Sequence, residues 1–246
     1  MTRKLVLLIL LFPSLALADT FTSGDFGVKP LAQFHLDDCG TTSVYSWSPA
    51  LKGTVQGACV QGVVGKALKF SNTNDVLSFS DAGFPTGSQS GGWSLSFWFR
   101  LDPNVAAGQD FMLWGVDGAA TAWHFYLNDG AGHPGMGGDD RVGGSTHIFS
   151  KLTNVPNCNR WVFTYMYWNG TTMFVAMVVN GIAFRDSFAG WTPNIQANGT
   201  LYFGNYNPGV AGSNFAQGTF DDIRFFSGKD NFGRHWASYW DYQRKL

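Results

Sequence analysis

Trp93-Ser94-Leu95-Ser96-Phe97-Trp98-Phe99-Arg100 is the stretch whose reading decides the fold. Trp93, Leu95, Phe97 and Phe99 fall on one side of a period of two, and Ser94, Ser96, Trp98 and Arg100 on the other, as a half-buried antiparallel β-strand requires. Three more segments read as strands: Gly65-Lys66-Ala67-Leu68-Lys69-Phe70, Arg160-Trp161-Val162-Phe163-Thr164-Tyr165 and Phe220-Asp221-Asp222-Ile223-Arg224-Phe225-Phe226. Between and beyond them, Asn169-Gly170, Asn180-Gly181 and Asn198-Gly199 are hairpin signals, and Asp117-Gly118 and Asp129-Gly130 are similar. Tyr165 to Trp168, Thr172 to Val179 and Ile182 to Phe188 therefore read as a meander. Its middle strand, nearly continuous in apolar residues, is expected at the centre of a sheet, buried on both faces. No period of 20 to 50 residues repeats, which excludes a solenoid or propeller.

The order and spacing of the four segments resemble the laminin-G-like branch of the concanavalin-A-like lectin/glucanase sandwiches. That family carries a Gly-Lys-Ala-Leu-x-Phe strand, a Ser-Leu-Ser-Phe-Trp-Phe-like strand, a Trp-containing strand leading into a hairpin, and a closing strand similar to Phe220 to Phe226. The resemblance runs from about Leu31 to Phe226 and implies an all-β, two-sheet antiparallel jelly-roll sandwich. The scaffold hosts lectins, adhesion modules and hydrolases, so it does not choose among them.

The termini add to this reading. Arg3 and Lys4, the apolar run Leu5 to Leu17 and Ala16-Leu17-Ala18 form a secretory signal over residues 1–18, the alternative being an uncleaved anchor. Residues 19–246 then form a single sandwich domain, secreted, periplasmic or held at the cell surface, with no transmembrane span after cleavage. Loss of Arg3 and Lys4 takes the 16 basic residues to 14 against 17 acidic ones, a net charge of −3. No strongly basic face is available, which argues against nucleic acid as a partner. Cys39 and Cys59 are expected to form a disulfide in an exported chain, and Cys158 is left as a free thiol or an intermolecular link. The tail from Asp230 to Leu246 spaces Phe232, His235, Trp236, Tyr239 and Trp240 like a short helix, packed on the sandwich or presented to a partner.

All 17 acidic residues are Asp; the chain contains no Glu. The resemblance implies paired Glu residues for glycoside hydrolysis in this fold, in a Glu-x-Asp-x-x-Glu pattern that has no counterpart here. Paired Asp residues could still hydrolyse a glycoside or act in a lyase, with Asp139-Asp140 and Asp221-Asp222 as candidates. Neighbours on a strand point to opposite faces, so Asp221 and Asp222 are not expected to converge on one bond. No Gly-x-Ser-x-Gly elbow or metalloprotease-like His spacing is present. The reading leans away from an enzyme.

The resemblance also implies a structural Ca²⁺, whose hard oxygen ligands would come from Asp37, Asp38, Asp221 and Asp222. Asp75, in Ser71-Asn72-Thr73-Asn74-Asp75, is a further candidate where the family carries an Asp-Gly or Asn-Gly. The alternative is that these carboxylates cap turns. Aromatic residues make up 16% of the chain and supply stacking faces for pyranose rings. Trp114, Trp123, His124 and Tyr126, with Asp139, Asp140 and Arg141 from a Gly-rich rim loop over Asn128 to Ser145, are the expected ligand-binding set. Three functions follow: a non-catalytic glycan- or protein-binding module, a structural subunit of a surface assembly with possible homo-oligomers, or an Asp-based hydrolase or lyase.

Overall fold

The structure is a computed structural model and describes residues 32–39, 43–45, 52–80, 92–103, 109–116, 121–127, 136–139, 146–152, 159–191, 200–205, 216–227 and 239. In chain order its strands are β1 (Ala32–Phe34), β2 (Ser43–Tyr45), β3 (Lys52–Gln56), β4 (Ala58–Gln61), β5 (Lys66–Phe70), β6 (Val76–Ser80), β7 (Trp93–Leu101) and β8 (Gln109–Val116). The series continues with β9 (Thr121–Leu127), β10 (Met136–Asp139), β11 (Thr146–Ile148), β12 (Val162–Trp168), β13 (Thr172–Val179), β14 (Ile182–Ala189), β15 (Thr200–Phe203) and β16 (Gly218–Ser227). They form two eight-stranded sheets. The first runs β14-β13-β12-β7-β16-β5-β4, with β1 also on β16; the second runs β11-β10-β9-β8-β15-β6-β3-β2. Every pairing is antiparallel, as the expected sandwich requires.

The core forms where the two apolar faces meet. Phe97 of β7 packs edge-on against Phe203 of β15 at 6.0 Å, and Phe34 of β1 stacks on Phe79 of β6 at 4.0 Å, so aromatic pairs tie one sheet to the other. Trp93, Leu95, Phe97 and Phe99 all point into this core, as their alternation predicts. The opposite face of β7 is not open, however. Trp98 stacks on Tyr239 at 5.9 Å, and with Phe163 and Val178 the pair forms a second apolar cluster on the outer face of the first sheet. The strand expected to be half-buried is buried on both faces because part of the C-terminal region returns over it. Of the segment expected to form a C-terminal helix, only Tyr239 lies within the described residues.

The hairpins follow their turn residues. Asn180 and Gly181 have φ of +49° and +79°, the left-handed pair of a two-residue turn joining β13 to β14. At the preceding turn the Asn169 Oδ1 accepts hydrogen bonds from the backbone N–H groups of Thr171 and Thr172, at 2.9 and 2.8 Å. Asn198-Gly199 lies outside the described residues. In the meander β13 is one strand in from the edge rather than central, and its Phe174 is 38% exposed. Part of the expected rim loop is strand, β10, because a Cβ at Gly137 would run into the Tyr126 ring and only glycine lets the two strands close up.

Cys39 and Cys59 form the expected disulfide, with an S–S distance of 2.04 Å and Cα atoms 5.4 Å apart. It ties the segment after β1 to β4. Cys158 lies outside the described residues. Among the described residues no helix is long and apolar enough to cross a membrane.

Candidate functional site

The outer face of the first sheet carries a cleft of about 250 Å³ over β12, β13 and β14. Ladder register explains its shape. Tyr165 pairs with Ala176 and Ala176 with Arg185, so one row across three strands reads tyrosine, alanine, arginine. The methyl of Ala176 leaves a gap between two long side chains. In the next row Tyr167 pairs with Phe174, and their rings stack at 5.6 Å with 17° between planes. These five residues line the cleft, with Val175 and Asp186 at its border. Phe174 is a large hydrophobic side chain, 38% exposed, on the strand next to the sheet edge. The Asp186 carboxylate is 9% exposed and engaged elsewhere: it accepts from the Lys151 N–H at 3.1 Å and from the Ser187 N–H at 2.8 Å, with Lys151 Nζ 3.7 Å away.

The second polar region lies on the same sheet, where β16 changes partner. β5 pairs with Gly218 to Phe220 and β1 pairs with Ile223 to Phe225, leaving Asp221 and Asp222 at the junction. The ladder with β7 breaks there in a bulge, and Asp222 takes φ +44°, a left-handed conformation that Asp tolerates. Backbone groups that lose ladder partners must find others. Asp221 supplies them: Oδ2 accepts from Val63 and Val64 N–H at 2.8 and 3.0 Å, and Oδ1 accepts from Asp222 N–H at 2.8 Å. Asp222 instead meets Arg224 and His35. Arg224 Nη2 lies 2.9 Å from Oδ2 and Nε 3.1 Å from Oδ1, while His35 Nδ1 is 3.3 Å from Oδ1 and Gln33 Nε2 donates at 3.5 Å.

Electrostatics follow from these contacts. Burial pushes the Asp221 carboxyl up to about 8, with the Asp222 charge adding to it against the three backbone donors. Burial also opposes ionisation of Asp222, but the charge of Arg224 and the bond and charge of His35 hold it far below the usual carboxylate range. Burial pulls His35 down, yet the bond to Asp222 and the charges of Asp222 and Asp37 together outweigh it and raise the imidazole. Asp37 Oδ1 accepts from Lys66 N–H at 2.7 Å, and Asp75 Oδ2 accepts from Ser71 and Asn72 N–H at 2.6 and 3.1 Å. Among the described residues no three His, Cys, Asp or Glu side chains gather in a way that could hold a metal ion. Asp221 accepts from three N–H groups, and Asp222 is held by Arg224, His35 and Gln33, so these two carboxylates of the set expected for Ca²⁺ are engaged by the chain's own donors.

The sequence profile of the concanavalin A-like lectin/glucanases superfamily, in its laminin-G-like form, matches residues 71–229. The chain belongs to that superfamily. No characterised protein matches the sequence closely enough to count as a relative. Among solved structures, domain 4 of an extracellular arabinanase from Geobacillus stearothermophilus, in complex with arabinotriose, superposes with a TM-score of 0.59 at 17% identity, covering 84% of this chain and 96% of that one. The binding domain of botulinum neurotoxin serotype D gives 0.60 at 13% identity, over 88% of this chain and 51% of that one. An arabinofuranosidase complexed with arabinofuranosyl-α-1,2-xylobiose gives 0.52 at 18%, over 77% and 48%. The chain thus spans about half of the latter two, and at these identities the likeness is one of fold.

The superfamily's sandwich separates the residues that the sequence grouped together. Trp114 and Trp123 occupy opposite register positions in β8 and β9, one step from the Leu113–His124 pair, so the tryptophan couple and His124 have opposite parity in the second sheet. His124 is buried, with its ring 5.7 Å from Tyr126, and Asp139 pairs with it in the β9–β10 ladder. Asp140 and Arg141 lie outside the described residues. Sequence reading missed Tyr165, Tyr167, Phe174 and Arg185 altogether, because a continuously apolar β13 reads as buried on both faces. The available signal was the Asn169-Gly170 turn, whose register puts Tyr167 opposite Phe174.

Proposed function

We propose that this chain is an exported, non-catalytic carbohydrate-binding module whose site is the cleft on the outer face of the first sheet. The observation that carries the reading is the solvent-facing Tyr167–Phe174 stack beside Arg185 in a concavity of about 250 Å³. An apolar ring face packs on a sugar face, while the Arg185 guanidinium at the border offers donors to its oxygens. Membership of the superfamily and solved neighbours in complex with arabinotriose and with arabinofuranosyl-α-1,2-xylobiose support carbohydrate as the ligand class. Hydrolysis at Asp221-Asp222 finds no support: the two residues are 0% and 1% exposed and cannot reach a glycosidic bond.

A glycan array probed with residues 19–246, as wild type and as Phe174→Ala, tests the reading. Binding by the wild type that Phe174→Ala abolishes is the expected result. Binding unaffected by both Phe174→Ala and Tyr167→Ala would move the site elsewhere. Running the array with added calcium and again with a chelator tests the cofactor implied by the resemblance, and the cleft needs no metal in this reading. A role as a subunit of a surface assembly draws on one observation, Ile182 at 61% exposure on the edge strand β14. Oligomers in size-exclusion chromatography that Ile182→Lys dissolves would favour it.

A further inference from the structure

We infer that the cleft takes the end of a glycan chain and not an internal stretch of it; this rests on the carbohydrate-binding reading above. What closes the cleft on two adjacent sides carries the inference. Along the strands, the rows Tyr167–Phe174 and Tyr165–Ala176 are followed by Phe163–Val178, about 7 Å further on at ordinary strand rise. That third row is roofed. The Tyr239 ring lies on the outer face there, stacked on Trp98 with 11° between planes and 5.9 Å from Phe163, and its hydroxyl is bonded to the backbone of Gly181 in the β13–β14 turn. One side chain thus reaches from β7 past β12 to the turn, and Phe163 and Val178 in its cluster are fully buried. Across the strands, β7 closes the second side. Its Ser94, opposite Tyr167, and Ser96, opposite Tyr165, have outward parity in the ladder and yet are buried.

The other two sides are open. Thr171 and Phe174 are exposed at the hairpin end, and Arg185 and Ser187 are exposed along β14. A volume of about 250 Å³ is below the ~300 Å³ at which pockets begin to enclose drug-sized molecules, so the corner has room for about one sugar ring. A chain laid along the strands would run into Tyr239, and one laid across them would run into the covered face of β7. A terminal ring meets neither obstacle. It fits into the corner against Phe174 while the rest of its chain leaves over the hairpin or over β14. Tyr239 is therefore a specificity-determining residue, because its ring sets where the bound chain must stop.

The test is a calorimetric titration of the purified chain with arabinan, xylan and α-1,4-glucan oligosaccharides, and with the length series of any glycan the array retains, each from disaccharide to hexasaccharide. In a series that binds, molar affinity should change by less than about two-fold with length, where each further stacked ring would add about ten-fold. Brief hydrolysis of the corresponding polymer, which multiplies its ends, should raise the protein bound per gram in proportion. Phe174→Ala should remove binding at every length. Tyr239→Ala should turn the flat series into one that climbs with length, and Tyr239→Phe, which keeps the ring, should leave it flat. Far-UV circular dichroism checks that each variant is folded, and if Tyr239→Ala is not, the wild-type length series and the hydrolysis experiment decide. Wild-type affinity that climbs with each added ring, with binding per gram unmoved by hydrolysis, overturns the chain-end preference; loss of that same binding in Phe174→Ala leaves the carbohydrate reading standing. A series as flat in folded Tyr239→Ala as in the wild type overturns the role of Tyr239 as the wall. Absence of binding to every series and to the array overturns both readings.

Discussion

The junction at Asp221-Asp222 and the cleft at Tyr167-Phe174-Arg185 lie on one sheet and use charge in opposite ways. At the junction every carboxyl oxygen meets an N–H or a guanidinium, and both aspartates are shut off from solvent. In the cleft an aromatic pair and a cation border open space. Both regions would pass for sites if only residue types were read. The difference teaches that a charged cluster whose partners are all supplied by its own chain does structural work, here stitching β16 to β1 and to the β4–β5 loop. Chemistry left facing solvent is what remains for a ligand.

The sharpest way to break this contrast is Asp222→Ala. It leaves Arg224 buried without its carboxylate, and a loss of ~3–5 kcal/mol in urea-induced unfolding is expected. Loss of less than about 1 kcal/mol would mean the junction is not structural.

Next in size is the disulfide. Removing the Cys39–Cys59 bond by Cys→Ser at both positions, or by reductant, opens a link of sequence separation 20 and should cost ~3 kcal/mol.

The pH dependence sharpens the contrast further. With its folded-state value raised to about 8, Asp221 contributes stability that is full below the ordinary carboxylate range and lost as pH rises through about 8. His35, raised as well, adds a loss that begins above the ordinary imidazole value. Asp222, held low, contributes above the ordinary carboxylate range and loses its contribution only in strong acid. The wild type should therefore melt at progressively lower temperature from pH 5 to pH 9. Asp221→Asn should flatten the slope below pH 8, and an unchanged slope would show that Asp221 is not the titrating group.

The smallest effect on stability belongs to the cleft: Phe174→Ala should cost about 1 kcal/mol or less, since its ring is partly in solvent. The same change should weaken glycan binding at least ten-fold, as expected for an aromatic anchor. A variant that unfolds as readily as Asp222→Ala would place Phe174 with the structural region instead.

Much of the fold was legible because strand alternation and Asn-Gly turns are local signals. Trp93 to Arg100, the meander from Tyr165 to Phe188 and the Cys39–Cys59 bond all stand where their residues put them. The errors arose where a distant element decided the outcome. Trp98 looks exposed until Tyr239 is laid over it, and Phe174 looks buried until β13 is placed beside the edge strand. Within the expected binding set, neighbouring positions such as Trp123 and His124 are close in sequence but have opposite parity along a pleated strand.

The sequence by itself determined the all-β class, the two-sheet sandwich, the hairpin positions and the absence of the Glu pair that the family's hydrolases carry. These follow from periodicity, turn chemistry and composition, which act over a few residues. Only the tertiary structure decided which carboxylates are saturated and which aromatic faces remain open. That depends on which strand lies beside which and on what covers each face, and pairing over long sequence separation is set by the whole chain packing at once.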